Sequence, residues 1–275
     1  MNDISKKLNY DEDLKNKIIS KMNYVSNEVL KIYNSDNFGL EVKKDKSPLT
    51  LADKKSHEIL VSFLKSLNFN IPIISEESFT KSTNTLSDNS YWLIDPLDGT
   101  KEFIAKNGEF TINVALIENK KTTFGFVGVP CKNEIYWGGK DFGSWKINIV
   151  DNYKYKLNVN KFSNKLKIAV SRSHLSIKTK ELLNNISVKY ELFPAGSSLK
   201  FLMIAEGKVD FYPRLEPTSE WDTAAAHAIL EGAGGKIVRI EDYKDLDYSK
   251  PTIRNPFFLA FGDNNILKKL NLISS

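Results

Sequence analysis

The sequence predicts an α/β protein in two halves, an N-terminal α+β half over residues 1–165 and a C-terminal α/β half over residues 166–275. Three patterns lead to this prediction. Apolar residues repeat at spacings of three and four near the start of the chain, which is typical of amphipathic helices. Short apolar runs punctuated by glycines follow and indicate an antiparallel meander. In the last third, strand-like and helix-like segments alternate, as they do in an α/β unit.

The elements of the first half follow from these periods. Apolar residues recur from Leu14 to Ile32 and again from about Leu51 to Leu67, which predicts two helices. The stretch Trp92 to Ile94 is apolar enough for a buried strand, and Pro96 is expected to end it because proline cannot donate to a sheet ladder. The predicted meander strands are Thr111–Glu118, Thr123–Val129, Glu134–Trp137 and Ser144–Ile149.

The second half is assigned in the same way. The last predicted helix is expected to stop at Gly232, since glycine commonly follows a helix end. The sequence contains no internal repeats, so nothing in it predicts a solenoid. The predicted strands are Lys167–Val170, Val188–Leu192, Val209–Tyr212 and Pro256–Phe261, and the predicted helices are Thr179–Asn184, Ser198–Ala205 and Trp221–Glu231.

Composition and charge narrow the functional classes. The 275 residues are 41% hydrophobic and carry a formal net charge of +5, with a pI near 8.9. The lysines are scattered among acids, which disfavours a nucleic-acid-binding patch. The single cysteine, Cys131, excludes an internal disulfide and a multi-cysteine zinc site, and is expected to be a small core residue. With no apolar N-terminal run and no long apolar stretch, the expected location is cytoplasmic, without a membrane span.

The most informative stretch runs from Trp92 to Thr100. It places two carboxylates, Asp95 and Asp98, three positions apart near a predicted strand end. Carboxylate oxygens are hard ligands that suit magnesium. Gly99 lets the backbone approach a ligand closely, and free N–H groups beside the Thr100 hydroxyl suit a phosphate oxygen. The stretch therefore predicts a metal-dependent phosphate site.

Further acids at element boundaries extend the candidate set. The pair Glu76-Glu77 follows the apolar run Ile71–Ile74, where a strand end would present a carboxylate to the same sheet edge. Asp222 opens an alanine-rich helix, where an acid also stabilises the helix dipole by roughly 0.3–1 kcal/mol. Asp53 fits a capping box that begins at Thr50. The local pattern alone favours dipole compensation for Asp222 and capping for Asp53.

Small polar and basic residues of the second half are candidates for binding a phosphate. The run Ser171–His174 follows a predicted strand, although a lone surface histidine is the commoner outcome there. The segment Gly196–Ser198 can cap a helix, present donors to an anion, or do both. His57 and His227 lie within predicted helices without ligand-spaced partners, and both are interpreted as structural.

Together, these motifs resemble the inositol monophosphatase superfamily of magnesium-dependent phosphatases. Within it, the segments Asp98–Phe103, Ser171–His174 and Gly196–Phe201 are similar to the 3'(2'),5'-bisphosphate nucleotidase branch of the CysQ type. The resemblance implies a layered αβαβα sandwich with the active site in the cleft between the two halves. The ordered set that carries it spans about residues 14 to 262 and consists of Ser47–Asp53, Ser75–Glu77, Trp92–Phe103, Ser171–His174, Gly196–Lys200 and Trp221–Ala225.

The resemblance implies two magnesium ions. The first would be held by Glu76, Asp95 and the backbone carbonyl of Leu97, and the second by Asp95, Asp98 and Asp222. Glu76 would also serve a third, weaker ion through water. Two ions can activate water, neutralise phosphate oxygens and stabilise the departing alkoxide, which a slow phosphate hydrolysis requires.

The resemblance also assigns the attacking water to Asp53 and Thr100, which reverses the local preference for capping. Basic and hydroxyl groups would recognise a second, 5'-phosphate: the candidates are His174, Ser197, Ser198 and Lys200, with Arg214 and Glu220 as additional ones. The residues implied to contact the substrate are Glu76, Leu97, Asp98, Gly99, Thr100, His174, Ser197, Ser198, Lys200 and Asp222.

The implied reaction is hydrolysis of adenosine 3',5'-bisphosphate to AMP and phosphate, which clears a by-product of sulfate activation in sulfur assimilation. The sulfated nucleotide 3'-phosphoadenylyl sulfate is a second implied substrate. The expected partner is thus a small phosphorylated nucleotide, and the sequence leaves monomer or homodimer open. Three alternatives stay open as well: an inositol or sugar phosphatase of the same superfamily, a non-catalytic nucleotide or metal sensor, and a nucleic-acid-binding module.

Overall fold

The computed structural model describes residues 4–43, 47–80, 89–162, 165–173, 175–270 and 272. Within these ranges the chain forms eight α-helices and fourteen strands. The helices are α1 (Ile4–Tyr10), α2 (Glu12–Tyr33), α3 (Leu51–Ser66), α4 (Thr100–Ile104), α5 (Ile177–Asn184), α6 (Leu199–Ala205), α7 (Glu220–Gly232) and α8 (Asn265–Lys269). The strands are β1 (Glu41–Val42), β2 (Pro48–Leu49), β3 (Ile73–Ser75), β4 (Ser90–Asp98), β5 (Thr111–Glu118), β6 (Lys121–Val129), β7 (Glu134–Gly139), β8 (Gly143–Asn148), β9 (Tyr153–Lys156), β10 (Leu166–Ser171), β11 (Tyr190–Ala195), β12 (Phe211–Arg214), β13 (Lys236–Arg239) and β14 (Phe258–Phe261).

The main elements stack in five layers. Helices α1, α2 and α3 cover one face of a seven-stranded sheet with the order β3-β4-β5-β6-β7-β8-β9. Helices α6 and α7 pack on the other face and separate it from a five-stranded sheet with the order β11-β10-β12-β14-β13. Helices α5 and α8 cover the outer face of that second sheet. This is an αβαβα sandwich, so the predicted fold class is confirmed.

The seven-stranded sheet is buried on both faces. In β4, Trp92 and Ile94 pack toward the outer helices, whereas Tyr91 and Leu93 pack toward α6 and α7. This alternation follows the two-residue period of a strand. Because both faces meet helices, the strand reads as a continuous apolar run rather than as an alternating one.

Most predicted elements of the first half are confirmed. Helix α2 contains the predicted helix from Leu14 to Ile32, and α3 matches the second within one residue. Strands β4 to β9 pair antiparallel in chain order, which confirms the meander. Six short elements were not predicted, because their two to seven residues are too few to show a period: α1, β1, β2, β9, β13 and α8. None of the described helices is long and apolar enough to cross a membrane.

The expectation that Pro96 ends its strand is wrong, because β4 continues to Asp98. Strand β3 pairs with β4 only as far as Ile94, so the missing N–H group of Pro96 lies beyond that ladder. The register of β4 against β5 shifts between Asp95 and Asp98. Such a bulge re-aims side chains, and here both carboxylates line one cavity.

The expectation that Cys131 is a core residue is also wrong. Cys131 lies in the 3-10 turn Pro130–Lys132 between β6 and β7, and it is exposed. The apolar residues around it belong to the ends of buried strands, whereas the turn itself lies at the surface. The composition of the segment did not separate the two.

A close backbone contact holds α7 against the centre of the seven-stranded sheet. A Cβ atom built on Gly125 of β6 would lie 2.1 Å from the backbone oxygen of Ala225 in α7. No side chain fits in this gap, so glycine is required for the helix to approach the strand. The contact also fixes the height of α7 above the sheet, and thereby the position of its first turn.

We expect Gly125→Ala to lower the free energy of unfolding by about 3 kcal/mol, since an overpacked backbone contact forces helix and strand apart. The matched control is Gly128→Ala on the same strand, where the added Cβ would meet the side-chain oxygen of Ser26 at 3.0 Å, a group that can rotate. Urea unfolding of both variants measures the difference. Equal losses in the two variants would contradict the proposed role of the contact.

Candidate active site

Three buried or partly buried carboxylates converge beside the end of β4. Asp95 and Asp98 come from β4, and Asp222 comes from the first turn of α7. One oxygen of each of the three lies within 4.8 Å of the others. Like charges at this separation repel strongly, and hard oxygen donors so arranged suit a divalent cation such as magnesium.

The electrostatics of the cluster agree with that fit. Burial raises the pKa of Asp95 well above its usual range, and the charges of Glu76, Asp98 and Asp222 raise it further. Burial raises the pKa of Asp98 to about 6, although Lys200 opposes the shift. Burial, with the charges of Asp98 and Glu76, raises the pKa of Asp222 to about 8. A bound cation would favour the ionised form of all three carboxylates.

Asp222 also caps its own helix. Its Oδ2 atom accepts a hydrogen bond from the backbone N–H of Ser219 at 2.7 Å, which closes a capping box at the start of α7. The prediction from the local pattern, that this acid stabilises the start of a helix, is therefore confirmed. Because the same residue belongs to the carboxylate cluster, α7 presents its positive N-terminal end to that cluster.

Asp53 has two kinds of contact. Its Oδ2 atom accepts hydrogen bonds from the backbone N–H of Thr50 at 2.8 Å and from the Thr50 hydroxyl at 2.5 Å, so the predicted capping box is present. Its Oδ1 atom accepts a hydrogen bond from the Thr100 hydroxyl at 3.3 Å. Burial raises the pKa of Asp53, although the hydrogen bonds from Thr50 oppose this. The structure thus brings together the two residues that the resemblance pairs.

Glu76 lies at the edge of the cluster and is not one of the three acids whose oxygens converge. It follows β3 in a 3-10 turn and lines a cavity of about 300 Å³ together with Asp95, Leu97 and the other two acids. The ammonium group of Lys43 lies 2.8 Å from Glu76 and 2.6 Å from Glu77. Burial lowers the pKa of Lys43, but the two carboxylates outweigh this effect and raise it. Sequence motifs gave no signal for Lys43, which lies outside all of them.

A second cavity of about 190 Å³ adjoins the cluster and contains some of the predicted substrate contacts. Its walls include Ser197 and Lys200. The Lys200 ammonium donates to the backbone oxygens of Ala195 at 3.1 Å and Ser197 at 2.6 Å, and burial lowers its pKa to about 8. The Ser198 hydroxyl is instead buried, 2.8 Å from the Thr111 hydroxyl and 3.1 Å from the Asn113 side-chain oxygen. Ser198 and Lys200 therefore hold the shape of the loop.

Glu220, a further candidate from the sequence, does not line this cavity. Glu220 is buried and pairs with Lys250 at 2.6 Å, and it accepts from the backbone N–H groups of residues 249 and 250. These contacts make it a support for the start of α7. His174 lies outside the described residues, whereas Ser171 and Ser173 of the same motif line the cavity.

Three residues on the cavity wall had little or no signal in the sequence. Lys101, Tyr212 and Arg214 all line the cavity. Tyr212 and Arg214 are two apart on β12, so they share one face of that strand. This alternation of an aromatic and a basic side chain along one strand is the sequence pattern from which their place on a common wall could have been predicted. Lys101 directly follows Thr100, within the motif that contains the acids.

Glu109 links the two sides of the cavity. Its carboxylate accepts two hydrogen bonds at 2.6 Å from Arg172 and one at 2.8 Å from the backbone N–H of Gly196. Its backbone oxygen accepts from the Ser197 hydroxyl at 2.8 Å. Gly99, with φ of +92°, packs against this point, and an added Cβ atom there would lie 3.1 Å from the same oxygen. Arg172 therefore serves the loop rather than facing a ligand.

Comparison with known proteins identifies relatives over nearly the whole chain. The model of the inositol monophosphatase family matches residues 12–260. A 3'(2'),5'-bisphosphate nucleotidase CysQ from Escherichia coli is 38% identical over 217 residues, which cover 78% of this chain and 86% of that protein. The Haemophilus influenzae protein of the same name is 32% identical over 263 residues, which cover 94% and 96%.

Solved structures agree with this assignment. The crystal structure of CysQ from Bacteroides thetaiotaomicron, titled a bacterial member of the inositol monophosphatase family, superposes with a TM-score of 0.81 at 32% identity. The alignment covers 93% of this chain and 99% of that one. A Thermotoga maritima IMPase shares the fold, with a TM-score of 0.72 at 18% identity over 94% and 96% of the two chains.

In the presence of a chelator, the protein is expected to lose stability as the pH rises from about 4 to about 8. Folding raises the pKa of Asp222 from its usual 3.8 to about 8, so in this window the folded state binds more protons than the unfolded chain. Stability falls wherever the folded state binds more protons and the pH is raised. Thermal unfolding at a series of pH values measures the slope. Asp222→Asn should make the slope shallower, and an unchanged slope in that variant would argue against this origin.

Proposed function

Since the chain belongs to the inositol monophosphatase family, we propose that it is a metal-dependent 3'(2'),5'-bisphosphate nucleotidase that converts adenosine 3',5'-bisphosphate to AMP and phosphate. The observation that carries the proposal is the convergence of Asp95, Asp98 and Asp222 within 4.8 Å beside a cavity that contains basic side chains. The relatives of that name, at 32% to 38% identity, support the choice of a nucleotide substrate. The sulfated nucleotide 3'-phosphoadenylyl sulfate is proposed as a second substrate.

The proposed cofactor is magnesium, with two ions in each site. Asp95, Asp98 and Asp222 would hold one ion, and Glu76, Asp95 and the Leu97 carbonyl would hold the other, with a third, weaker position at Glu76 through water. Magnesium supplies positive charge for the phosphate oxygens and lowers the pKa of a bound water. The raised pKa values of the three aspartates support this assignment, because the positive charges of Lys200 and Arg214 offset only part of the effect of burial and mutual repulsion.

Asp53 and Thr100 are proposed to prepare the attacking water. The Thr100 hydroxyl donates to Oδ1 of Asp53, so its oxygen can accept a hydrogen bond from water while Asp53 takes up the proton. Burial raises the pKa of Asp53, which makes the carboxylate a stronger base. The backbone N–H groups of Gly99 and Thr100, at the start of α4, are proposed donors to the reacting phosphate.

Recognition of the second phosphate is proposed to occur in the 190 Å³ cavity. Lys101 and Arg214 offer positive charge there, and Lys200 adds positive charge from below the loop. Ser197 is proposed to contribute from the cavity wall, where Glu109 holds its hydroxyl, and the Tyr212 ring gives an apolar wall. His174 and Ser198 remain part of the proposal, His174 as a direct contact and Ser198 through the loop it holds.

We also propose that the chain divides near residue 165 into the halves 1–165 and 166–275, with the active site in the cleft between them. Supporting this division, the acids of β4 come from the first half, whereas Asp222 and the loop Gly196–Ser198 come from the second. An inositol or sugar phosphatase would use the same acids and prefer another alcohol, so only substrate preference separates the two functions.

We expect Asp95→Asn to reduce turnover by about a thousandfold or more, since several kcal/mol of charge stabilisation depend on this carboxylate. The fold should survive, because asparagine has the same shape and can still accept the hydrogen bond that the backbone N–H of Leu97 donates to Asp95 at 3.1 Å. Without metal, the variant should be at least as stable as the parent, since one repelling charge is gone. Phosphate release and thermal unfolding in chelator measure both effects. Asp242→Asn is the control, since Asp242 is an exposed acid that pairs with Arg239 and lines neither cavity of the proposed active site. A parent-like rate in Asp95→Asn would overturn the assignment.

Substrate preference is expected to favour the nucleotide. Phosphate release with magnesium is compared for adenosine 3',5'-bisphosphate, inositol 1-phosphate and fructose 1,6-bisphosphate, each repeated with chelator. The highest kcat/KM, sensitive to chelator, should belong to adenosine 3',5'-bisphosphate. A preference for inositol or sugar phosphate would keep the metal assignment and refute the nucleotide one. Turnover of none of the three would point to a sensor.

A further inference from the structure

A larger cavity lies at the other end of α7, away from the carboxylate cluster. Its volume is about 760 Å³, within the range of about 300–1,000 Å³ typical of small-molecule sites. His227 and Glu231, from the second half of α7, contribute to its lining, together with residues of the β6 start, the β7–β8 turn and the segment after β13. None of the acids of the proposed active site lines this cavity.

The cavity contains a buried histidine with an unpaired nitrogen. His227 is 2% exposed, and its Nδ1 atom lies 2.8 Å from the Tyr248 hydroxyl. On the other edge of the ring, Nε2 has no hydrogen-bond partner and lies 3.8 Å from Oε1 of Glu231, too far for a hydrogen bond. Buried polar atoms are nearly always paired, and leaving one unpaired costs free energy. His227 and Glu231 both line the cavity, whereas Tyr248 does not.

His227 and Glu231 can serve a ligand as a donor and an acceptor. Burial lowers the pKa of His227 to about 3, so the ring is neutral and carries one hydrogen. We assign that hydrogen to Nε2, with the Tyr248 hydroxyl donating to Nδ1. A ligand would then meet a donor at His227 and, 3.8 Å away, an acceptor at Glu231. A heterocycle with an amino group next to a ring nitrogen offers the complementary pair.

Five basic and four acidic side chains line the cavity, so the basic ones are in excess by one. Lys121 and Lys140 line it and are exposed, and in the described part of the chain neither has a carboxylate within ion-pair distance. Both are near enough to lower the pKa of Glu231, although burial outweighs them and raises it. Lys236, in contrast, is paired with Asp245 at 2.8 Å. Two ammonium groups that are free of ion pairs can bind an anion.

We propose that this cavity is a second ligand site, which takes a planar heterocycle with adjacent donor and acceptor groups joined to an anionic group, the chemistry of a purine nucleoside monophosphate. His227 and Glu231 contact the heterocycle, Phe142 and Leu246 supply apolar surface for its ring, and Lys121 and Lys140 bind the anion. The proposal stands on this cavity alone and does not depend on the proposed nucleotidase activity.

The histidines give a local test on the full-length protein. The chain has three of them, so His57→Gln and His174→Gln identify the ring signals of His227 in long-range proton–nitrogen spectra. Adenosine monophosphate is added in the presence of a chelator. We expect a saturable shift of the His227 Nε2 signal, a weaker effect from adenosine, and no comparable shift from inorganic phosphate. No shift with adenosine monophosphate would overturn the proposal, and an equal shift with inorganic phosphate alone would refute the heterocycle contact.

Variants at the rim separate this cavity from the active site. The double variant Lys121→Ala/Lys140→Ala is expected to weaken adenosine monophosphate binding about tenfold, measured at the His227 signal. Lys132→Ala removes an exposed lysine of the β6–β7 turn and should leave the affinity unchanged. Unchanged affinity in the double variant would mean that the shift comes from the active site through α7, which would refute the second site. A failure of the nucleotidase assay would leave this result unaffected.

Discussion

The mutual repulsion of Asp95, Asp98 and Asp222 is the constraint on which the rest of the structure depends. Three carboxylates within 4.8 Å cannot hold β4 and α7 together, so other forces must do so. The apolar faces of the seven-stranded sheet and the backbone contact between Gly125 and Ala225 supply that force. The fold therefore keeps in place a set of charges that lowers its own stability, and binding of a cation to the folded state would offset the loss.

Two acids of the site also belong to the capping boxes at the starts of helices. Asp53 closes the capping box of α3 and Asp222 that of α7, so the N-terminal ends of both helices point at the carboxylate region. Helix N-termini carry partial positive charge, which partly compensates the repulsion there. Capping and participation in the site are thus compatible roles, and the capping hydrogen bonds fix the position of each carboxylate before any ligand binds.

The predictable parts of the molecule are those whose signal is local. The periods of α2, α3 and the meander extend over many residues, and Asp95 and Asp98 lie in one short motif. Asp222 was assigned to the cluster only through the resemblance, since its local pattern is that of a helix start. The bulge after Asp95 depends on where β3 ends, and the pair of Glu109 and Arg172 joins residues 63 positions apart. Such pairings depend on tertiary structure and leave no periodic trace in one sequence.

The contacts around the smaller cavity divide its walls into a fixed side and an adaptable side. The loop at Gly196 is held by Glu109 and, through Ser198, by the buried ends of β5. The loop is therefore held in one conformation before a ligand reaches the cavity, which in the proposed function lowers the entropy lost on binding. The cavity is also lined by two long side chains, Lys101 and Arg214, which lie on a helix start and a strand end. In the proposed function these two side chains contribute to substrate preference, whereas the carboxylate cluster serves the hydrolysis, so the two properties depend on different residues.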